Sequence, residues 1–238
     1  MLKIYVASTP HELPLVTDMA QYTAVVIDAL RATSTITTAL HNGCGRIFPV
    51  STVAEAAALK EQMPHALLAG ERQGAKLSGY DLGNSPFEYA PEAIAGREVI
   101  FTTSNGTRTL VACESAGLVV VASFLNRSAV AKAVQATGRD ILIACAGHHG
   151  KLAAEDLACA GAIIVTFIEH QAYQLTDGAL AALAIYGAWH DSLPALLGQS
   201  FSGRNVASLG YEDDIAYCAQ LDVFNVVPIY QSKQITAS

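Results

Sequence analysis

Val99-Ile100-Phe101-Thr102-Thr103-Ser104-Asn105-Gly106-Thr107-Arg108 joins a short apolar run to a hydroxyl-rich turn and then to a helix-like stretch. The order recurs along the chain. Asp28 follows Val25-Val26-Ile27, Glu71 follows Leu67-Leu68-Ala69-Gly70, and Cys145-Ala146-Gly147 follows Ile141-Leu142-Ile143-Ala144. In a parallel α/β sheet such strand ends share one edge, and that edge is where ligands bind.

The periodicity predicts strands at Lys3–Ala7, Ala24–Ile27, Arg46–Val50, Ala66–Ala69, Glu98–Thr102, Leu118–Ala122, Ile141–Ala144 and, late, Val226–Tyr230. Between them it predicts helices at Thr33–His41, Val53–Gln62, Thr107–Ala116, Ser128–Ala136 and Ala154–Glu169. Alternation of this kind reads as βαβ units, hence an α/β fold in three layers: a mainly parallel sheet with helices on both faces. After residue 150 the pattern turns mostly helical, with further stretches at Asp177–Gly187, Ser192–Gln199 and Glu212–Ala219. The expected organisation is an α/β core over residues 1–150 and a mostly helical lobe over 151–238. A final strand would return the lobe to the sheet, and the whole can form one compact domain.

The 238 residues, more than half of them apolar, exclude a disordered chain. A formal net charge of −7, with scattered Lys and Arg, argues against a nucleic-acid surface. The arginines of interest, Arg31, Arg72 and Arg108, each stand singly inside a turn. Five cysteines without C-x-x-C spacing read as reduced core thiols of a cytoplasmic protein. The start Met1-Leu2-Lys3-Ile4-Tyr5-Val6 reads as a first strand rather than a signal peptide, and no apolar stretch reaches bilayer-spanning length.

Several turns carry chemistry. In Ser104-Asn105-Gly106-Thr107-Arg108 a hydroxyl, a residue without Cβ and a guanidinium fork suit a phosphate. In Asp28-Ala29-Leu30-Arg31-Ala32-Thr33-Ser34-Thr35 the carboxylate suits Mg²⁺ or nucleophilic attack, and Arg31 suits a phosphate. The plainer alternative has Thr33 or Ser34 capping a helix while Asp28 and Arg31 pair, yet capping requires no arginine in the turn. Leu30 stands where a haloacid-dehalogenase-type phosphatase would need its second Asp. Glu71-Arg72 offers a hard oxygen ligand beside a cation, against the plainer reading of a surface pair.

Asp81-Leu82-Gly83-Asn84-Ser85-Pro86 lies in the longest irregular segment, Gly70 to Pro91. It reads equally as a substrate contact through Asn84 or as a helix start. Glu155-Asp156 supplies either metal oxygens or helix-dipole compensation, with Asp156 taken as the ligand. Glu212-Asp213-Asp214 reads as a helix start with a weaker functional claim. Cys145 begins a seven-residue loop that ends in Lys151 where a cysteine phosphatase carries arginine, so it reads as a small buried thiol. His148-His149 lacks partners at zinc spacing.

These blocks, taken in order, resemble the 2-phosphosulfolactate phosphatase family along nearly the whole chain. The matching stretches are Val26 to Thr35, Gly70-Glu71-Arg72, Asp81 to Pro86, Thr102 to Thr107, Cys145-Ala146-Gly147, Glu155-Asp156 and Glu212 to Cys218. The resemblance implies a Mg²⁺-dependent phosphomonoesterase that converts 2-phospho-3-sulfolactate to 3-sulfolactate and phosphate, a step associated with coenzyme M biosynthesis. Gln73, where the family pattern has glycine, and Ser34, where threonine is commoner, are departures; Gln73 bears on substrate rather than on chemistry.

The resulting expectation has Mg²⁺ on Asp28, Glu71 and Asp156, with Arg31, Arg108 and the Ser104–Thr107 turn around the phosphate. Arg72 and Lys151 would meet a second anionic group, and water would be the attacking species. The expected partner is a small anionic phosphate ester, with no nucleic acid and no membrane and a homodimer left open. Two rivals remain: a non-catalytic binding protein for an anionic phosphorylated metabolite, and a nucleotide-binding transferase, for which neither G-x-x-x-x-G-K-[ST] nor G-x-G-x-x-G is present.

Overall fold

A computed structural model describes residues 1–238. The strands are β1 Lys3–Ala7, β2 Tyr22–Ile27, β3 Arg46–Pro49, β4 Leu67–Arg72, β5 Ala75–Lys76, β6 Glu98–Thr102, β7 Leu118–Ala122, β8 Asp140–Cys145, β9 Gln174–Leu175, β10 Pro228–Gln231 and β11 Gln234–Ala237. The helices are α1 Ala32–His41, α2 Val53–Gln62, α3 Pro91–Ile94, α4 Gly106–Ala112, α5 Arg127–Gln135, α6 Ala154–Ile168, α7 Asp177–Trp189, α8 Leu193–Gln199, α9 Phe201–Ser208 and α10 Glu212–Cys218.

All strands join one sheet, ordered β5-β4-β6-β3-β11-β10-β7-β2-β8-β1-β9. It is mostly parallel, with helices on both faces, as the alternation predicts. The difference lies at its centre. The late strand is not single: β10 and β11 form an antiparallel hairpin wedged between β3 and β7, antiparallel to both. The parallel group β4-β6-β3 therefore runs opposite in sense to the group β7-β2-β8-β1 along the sheet.

Opposed groups in a flat sheet would send their carboxyl ends to opposite edges. Five steps separate β6 from β2 in the strand order, and a twist of roughly 20–25° per step accumulates to about 100–125°. The twist swings the two sets of ends together. An ideal Cβ on Gly106, just after β6, would lie 2.7 Å from Asp28 Oδ2, just after β2. The shared ligand-binding edge expected for a parallel sheet is thus produced by twist across an antiparallel hairpin.

Helix α1 packs against β7, β10 and β11, and every residue from Ala32 to Leu40 is buried. Its hydroxyls would be costly there without partners. Thr37 Oγ1 donates to the Thr33 carbonyl at 2.7 Å and Thr38 Oγ1 to the Ser34 carbonyl at 2.9 Å, the back-bonding open to Thr inside helices. Ile36, Ala39 and Leu40 meet Val26, Phe101, Leu110, Val121 and Tyr230 in one apolar cluster. On the opposite face α5, α6 and α7 pack on β1, β2, β7 and β8 in the largest cluster, which draws residues from Ile4 to Val227. Helix α2 covers β4 and β6. No helix is long and apolar enough to cross a membrane.

Candidate active site

The converging strand ends form a polar cleft lined by Asp28, Arg31, Glu71, Asn84, Ser104, Asn105, His148, Glu155 and Asp156, with α9 residues Ser202 and Asn205 on its rim. Four carboxylates share this one cleft. Burial first, then the Glu71 charge, push the Asp28 carboxyl up to about 7. Burial and the charges of Asp28 and Glu155 likewise hold Asp156 well above the ordinary carboxylate range.

The carboxylates differ in what they already hold. Asp156, at the start of α6, accepts the Ala29 N–H on Oδ1 at 2.9 Å and the Gly147 N–H on Oδ2 at 2.9 Å, tying the loops after β2 and β8 together. Glu71 accepts the Ser104 N–H at 2.7 Å, the Gly74 N–H at 2.7 Å and the Ser104 hydroxyl at 3.2 Å. Both were expected as metal ligands; in the structure both fasten loops. Asp28 accepts the Ala32 N–H at 3.3 Å, and Glu155 Oε2 has no partner although it is buried. Glu155 belongs to the acidic pair seen in the sequence, but the ligand role was expected of its neighbour. Both line the cleft, and which of the two keeps an unengaged oxygen depends on helix phase and on the loops nearby, which a pair of letters does not give.

Asn84 Oδ1 and His148 Nε2 are also buried without partners, so three of the six such atoms in the protein line this one cleft. Buried polar groups are almost always satisfied, and unsatisfied ones gathered in a cleft mark a place for a polar ligand. Asn84 is carried there by the Asp81–Pro86 turn, whose main-chain carbonyl at Asn84 accepts Thr35 Oγ1 at 2.8 Å. The His148 ring lies tilted against Phe201 of α9 with ring centroids 4.2 Å apart. Burial, then His149, lower its proton affinity. Neither His148 nor α9 was marked as part of the site from the sequence.

Arg31 lines the cleft but does not pair with Asp28. Its Nη1 donates to Asp214 Oδ2 at 2.7 Å, its Nη2 to the Gly74 carbonyl at 2.6 Å, and its guanidinium lies 4.7 Å from the Tyr211 ring centroid. Asp214 also accepts Ser85 Oγ at 2.7 Å. The acidic run at the start of α10 therefore supplies the buried counter-ion of Arg31.

The phosphate turn divides. Ser104 and Asn105 line the cleft, and Gly106 is the residue without Cβ that lets α4 approach Asp28 and Ala32. Thr107 is buried and exchanges hydrogen bonds with Thr103 at 3.1–3.3 Å, so its hydroxyl serves the turn. Arg108 is exposed and, with Arg72, faces an adjoining cleft instead. Lys151 is exposed and lines neither; its backbone closes a turn on His148. All five cysteines are free and buried. Burial pushes the Cys145 thiol well above its ordinary value, against a nucleophilic role.

Mg²⁺ takes oxygen ligands, keeps several waters and needs only one or two carboxylates. No three acidic or other ligating side chains converge as a closed metal cage. The open pair Asp28 and Glu155 fits the ion on that smaller requirement: the ionised form of one is opposed by burial and then by its anionic neighbours, and the other carries a partnerless oxygen.

The model of the 2-phosphosulpholactate phosphatase family matches residues 7–233. A relative from Caldanaerobacter subterraneus subsp. tengcongensis is 41% identical over 213 residues, covering 89% of this chain and 88% of the relative. One from Clostridium acetobutylicum is 39% identical over 215 residues, covering 90% and 91%. One from Trichormus variabilis is 37% identical over 240 residues, covering 97% and 96%. All three carry the name "Probable 2-phosphosulfolactate phosphatase". With its strand-end carboxylates gathered in one cleft and the match extending over nearly its full length, this chain belongs to the 2-phosphosulfolactate phosphatase family.

Proposed function

We propose that the protein is a Mg²⁺-dependent phosphomonoesterase that hydrolyses 2-phospho-3-sulfolactate, or a closely similar phosphorylated hydroxy acid, to the free hydroxy acid and phosphate. The names of its relatives support the substrate. The observation that carries the site is the set of buried, partnerless atoms Asn84 Oδ1, His148 Nε2 and Glu155 Oε2 in a cleft beside Asp28.

Asp28 and Glu155 would hold the ion, with Glu71 and Asp156 fixing the loops around them. Bound there, Mg²⁺ supplies Lewis-acid polarisation of a phosphoryl oxygen and neutralises phosphate charge. Arg31 is held rigidly by Asp214 and Gly74 and directs fixed positive charge into the cleft, where it stabilises charge on the transferring group. Ser104 and Asn105 offer hydrogen bonds to the remaining oxygens. Phosphoryl transfer through a loose transition state asks for positioning and charge more than for a strong base. Attack by water meets that requirement without a covalent Asp28 intermediate. His148, whose proton affinity is lowered by burial first, presents Nε2 without a partner in the cleft, where it can hydrogen-bond a substrate oxygen.

The test is phosphate release from 2-phosphosulfolactate and a panel of phosphorylated hydroxy acids, with Mg²⁺ and with EDTA. Mg²⁺-dependent release is expected. Stoichiometric binding of the esters without release would favour the binding-protein reading instead.

A further inference from the structure

Next to the carboxylate-rich cleft lies a second one of opposite character. It is lined by Arg72, Arg108, His11 and His149, and no Asp or Glu is among its lining residues. Gln73, Ser104, Asn105 and His149 line both clefts and so form the partition between them. Two of these, Gln73 at φ 55° and His149 at φ 49°, occupy the left-handed region that non-glycine residues rarely adopt. Strain of this kind collects where the surrounding structure has to hold side chains at a binding surface.

The two guanidiniums carry unbalanced charge. The ion pairs of the protein involve Arg31, Arg46, Lys76, Arg127 and His190, not Arg72 or Arg108. Arg72 is pre-oriented: Nη1 donates to the Glu71 carbonyl at 2.7 Å and Nη2 to Thr102 Oγ1 at 2.9 Å. Its backbone neighbour Glu71 anchors Ser104 of the partition. The same strand end thus fixes the acidic cleft and the basic one. In a chain of net charge −7, two arginines and two imidazoles around one hollow, with no acid, form a local site for an anion.

We infer that this second cleft, centred on Arg72 and Arg108, binds the other acidic group of the substrate, a sulfonate or carboxylate, while the phosphate lies across the partition beside Asp28. The inference rests on the phosphomonoesterase reading and assigns the non-phosphate end to specific residues. It moves Arg108 from the phosphate to substrate selection and leaves Lys151 out. It also gives the departure at Gln73 a role, since the side chain borders both subsites.

The test compares wild type with Arg108→Gln, an exposed position on α4, and with Arg72→Gln, each checked for an unchanged melting profile. Three esters are used: 2-phosphosulfolactate, 2-phospholactate, which lacks the sulfonate, and 2-(phosphonooxy)ethanesulfonate, which lacks the carboxylate. In Arg108→Gln the preference for 2-phosphosulfolactate over the ester lacking the recognised group is expected to fall about ten-fold or more, mainly through KM. A collapse against 2-phospholactate places the sulfonate in the cleft, and a collapse against the ethanesulfonate ester places the carboxylate there. Loss of kcat/KM in parallel for all three esters, or no change in any, overturns the inference. Calorimetric titration with 3-sulfolactate, which carries no phosphate, separates this inference from the hydrolase reading. If wild type cleaves no ester, the hydrolase reading fails. About ten-fold weaker 3-sulfolactate binding in Arg108→Gln would then still support the anion subsite, and equal binding would overturn it.

Discussion

Arg31 and Asp214 form an ion pair at 2.7 Å with side chains only 2% and 1% exposed, joining the turn after β2 to the start of α10. The pair brings residues 183 positions apart into one cleft wall. A buried pair of this kind contributes little against an apolar replacement, but removing one partner leaves an uncompensated charge. Asp214→Ala is expected to lower unfolding free energy by about 3–5 kcal/mol and to reduce kcat as Arg31 loses its anchor. Denaturant unfolding checks this, and the double variant Arg31→Met/Asp214→Leu should recover much of the stability while staying inactive. A single variant as stable as wild type would contradict it.

Gly106 faces Asp28 and Ala32, and a Cβ there would lie 2.7 Å from Asp28 Oδ2 and 2.8 Å from Ala32 Cβ. Either α4 shifts or Asp28 turns away. Gly106→Ala is expected to cost about 1–3 kcal/mol by overpacking and to lower kcat more than it raises KM. Steady-state kinetics beside thermal melting would show it, and wild-type kcat in the variant would count against this placement of Asp28.

Among the carboxylates of the cleft, Glu155 carries a buried oxygen without a partner, Oε2, whereas both oxygens of Asp156 are engaged. Glu155→Gln is therefore expected to weaken Mg²⁺ binding by about ten-fold or more with little loss of stability. Asp156→Asn, which puts an NH2 group against the Ala29 or Gly147 N–H, is expected to destabilise the fold by about 1–3 kcal/mol. Isothermal titration with Mg²⁺ and urea unfolding of the two variants separate the roles. The opposite assignment of effects would return the ligand role to Asp156.

In metal-free protein the Asp28 carboxyl is raised from 3.8 to about 7. Below pH 3.8 it is protonated folded and unfolded, and the stabilising effect of the raised value is fully present. Between 3.8 and 7 only the folded state keeps the proton, so the contribution declines as pH rises, by at most about 1.4 kcal/mol per pH unit. Above 7 it is gone. Asn at this position does not titrate, so with EDTA the stability of wild type minus that of Asp28→Asn should fall from pH 4.5 to 7 and then level off. A difference that is flat, or that rises with pH, would contradict the raised value.

The frame of the fold was legible because its signals are local. Strands at Glu98–Thr102 and Leu118–Ala122 and the helix Val53–Gln62 fall where the apolar periodicity puts them. Thr52 accepts the Glu55 N–H at 3.1 Å, a cap of the kind that a helix start requires. Strand β11 was not legible: Gln234-Ile235-Thr236-Ala237 is short and half polar, and it is a strand only because β10 and β3 flank it. Helix α9 was missed because Ser202, Gly203 and Asn205 are poor helix formers, and the burial of Gly203 and Val206 overrides them.

The site divides along the same line. Asp28, Glu71, Asn84 and Ser104 could be marked because each sits at a strand end or in a distinctive turn. The partner of Arg31, the unengaged oxygen on Glu155 rather than on Asp156 and the reach of His148 depend on contacts between distant segments and on helix phase. Ser104 borders both clefts, whereas Arg108, one turn further on in α4, lines only the second, because successive residues of a helix face different directions.

The most direct test of the central claim is Mg²⁺-dependent phosphate release from 2-phosphosulfolactate by wild type and by Asp28→Asn, with folding of the variant verified by its melting curve. Release by wild type that stops in EDTA, and a fall in kcat of about 10³-fold or more in Asp28→Asn, is the predicted result. Undiminished release in EDTA, or wild-type turnover in the variant, would contradict the assignment of this cleft as the phosphoryl-transfer site.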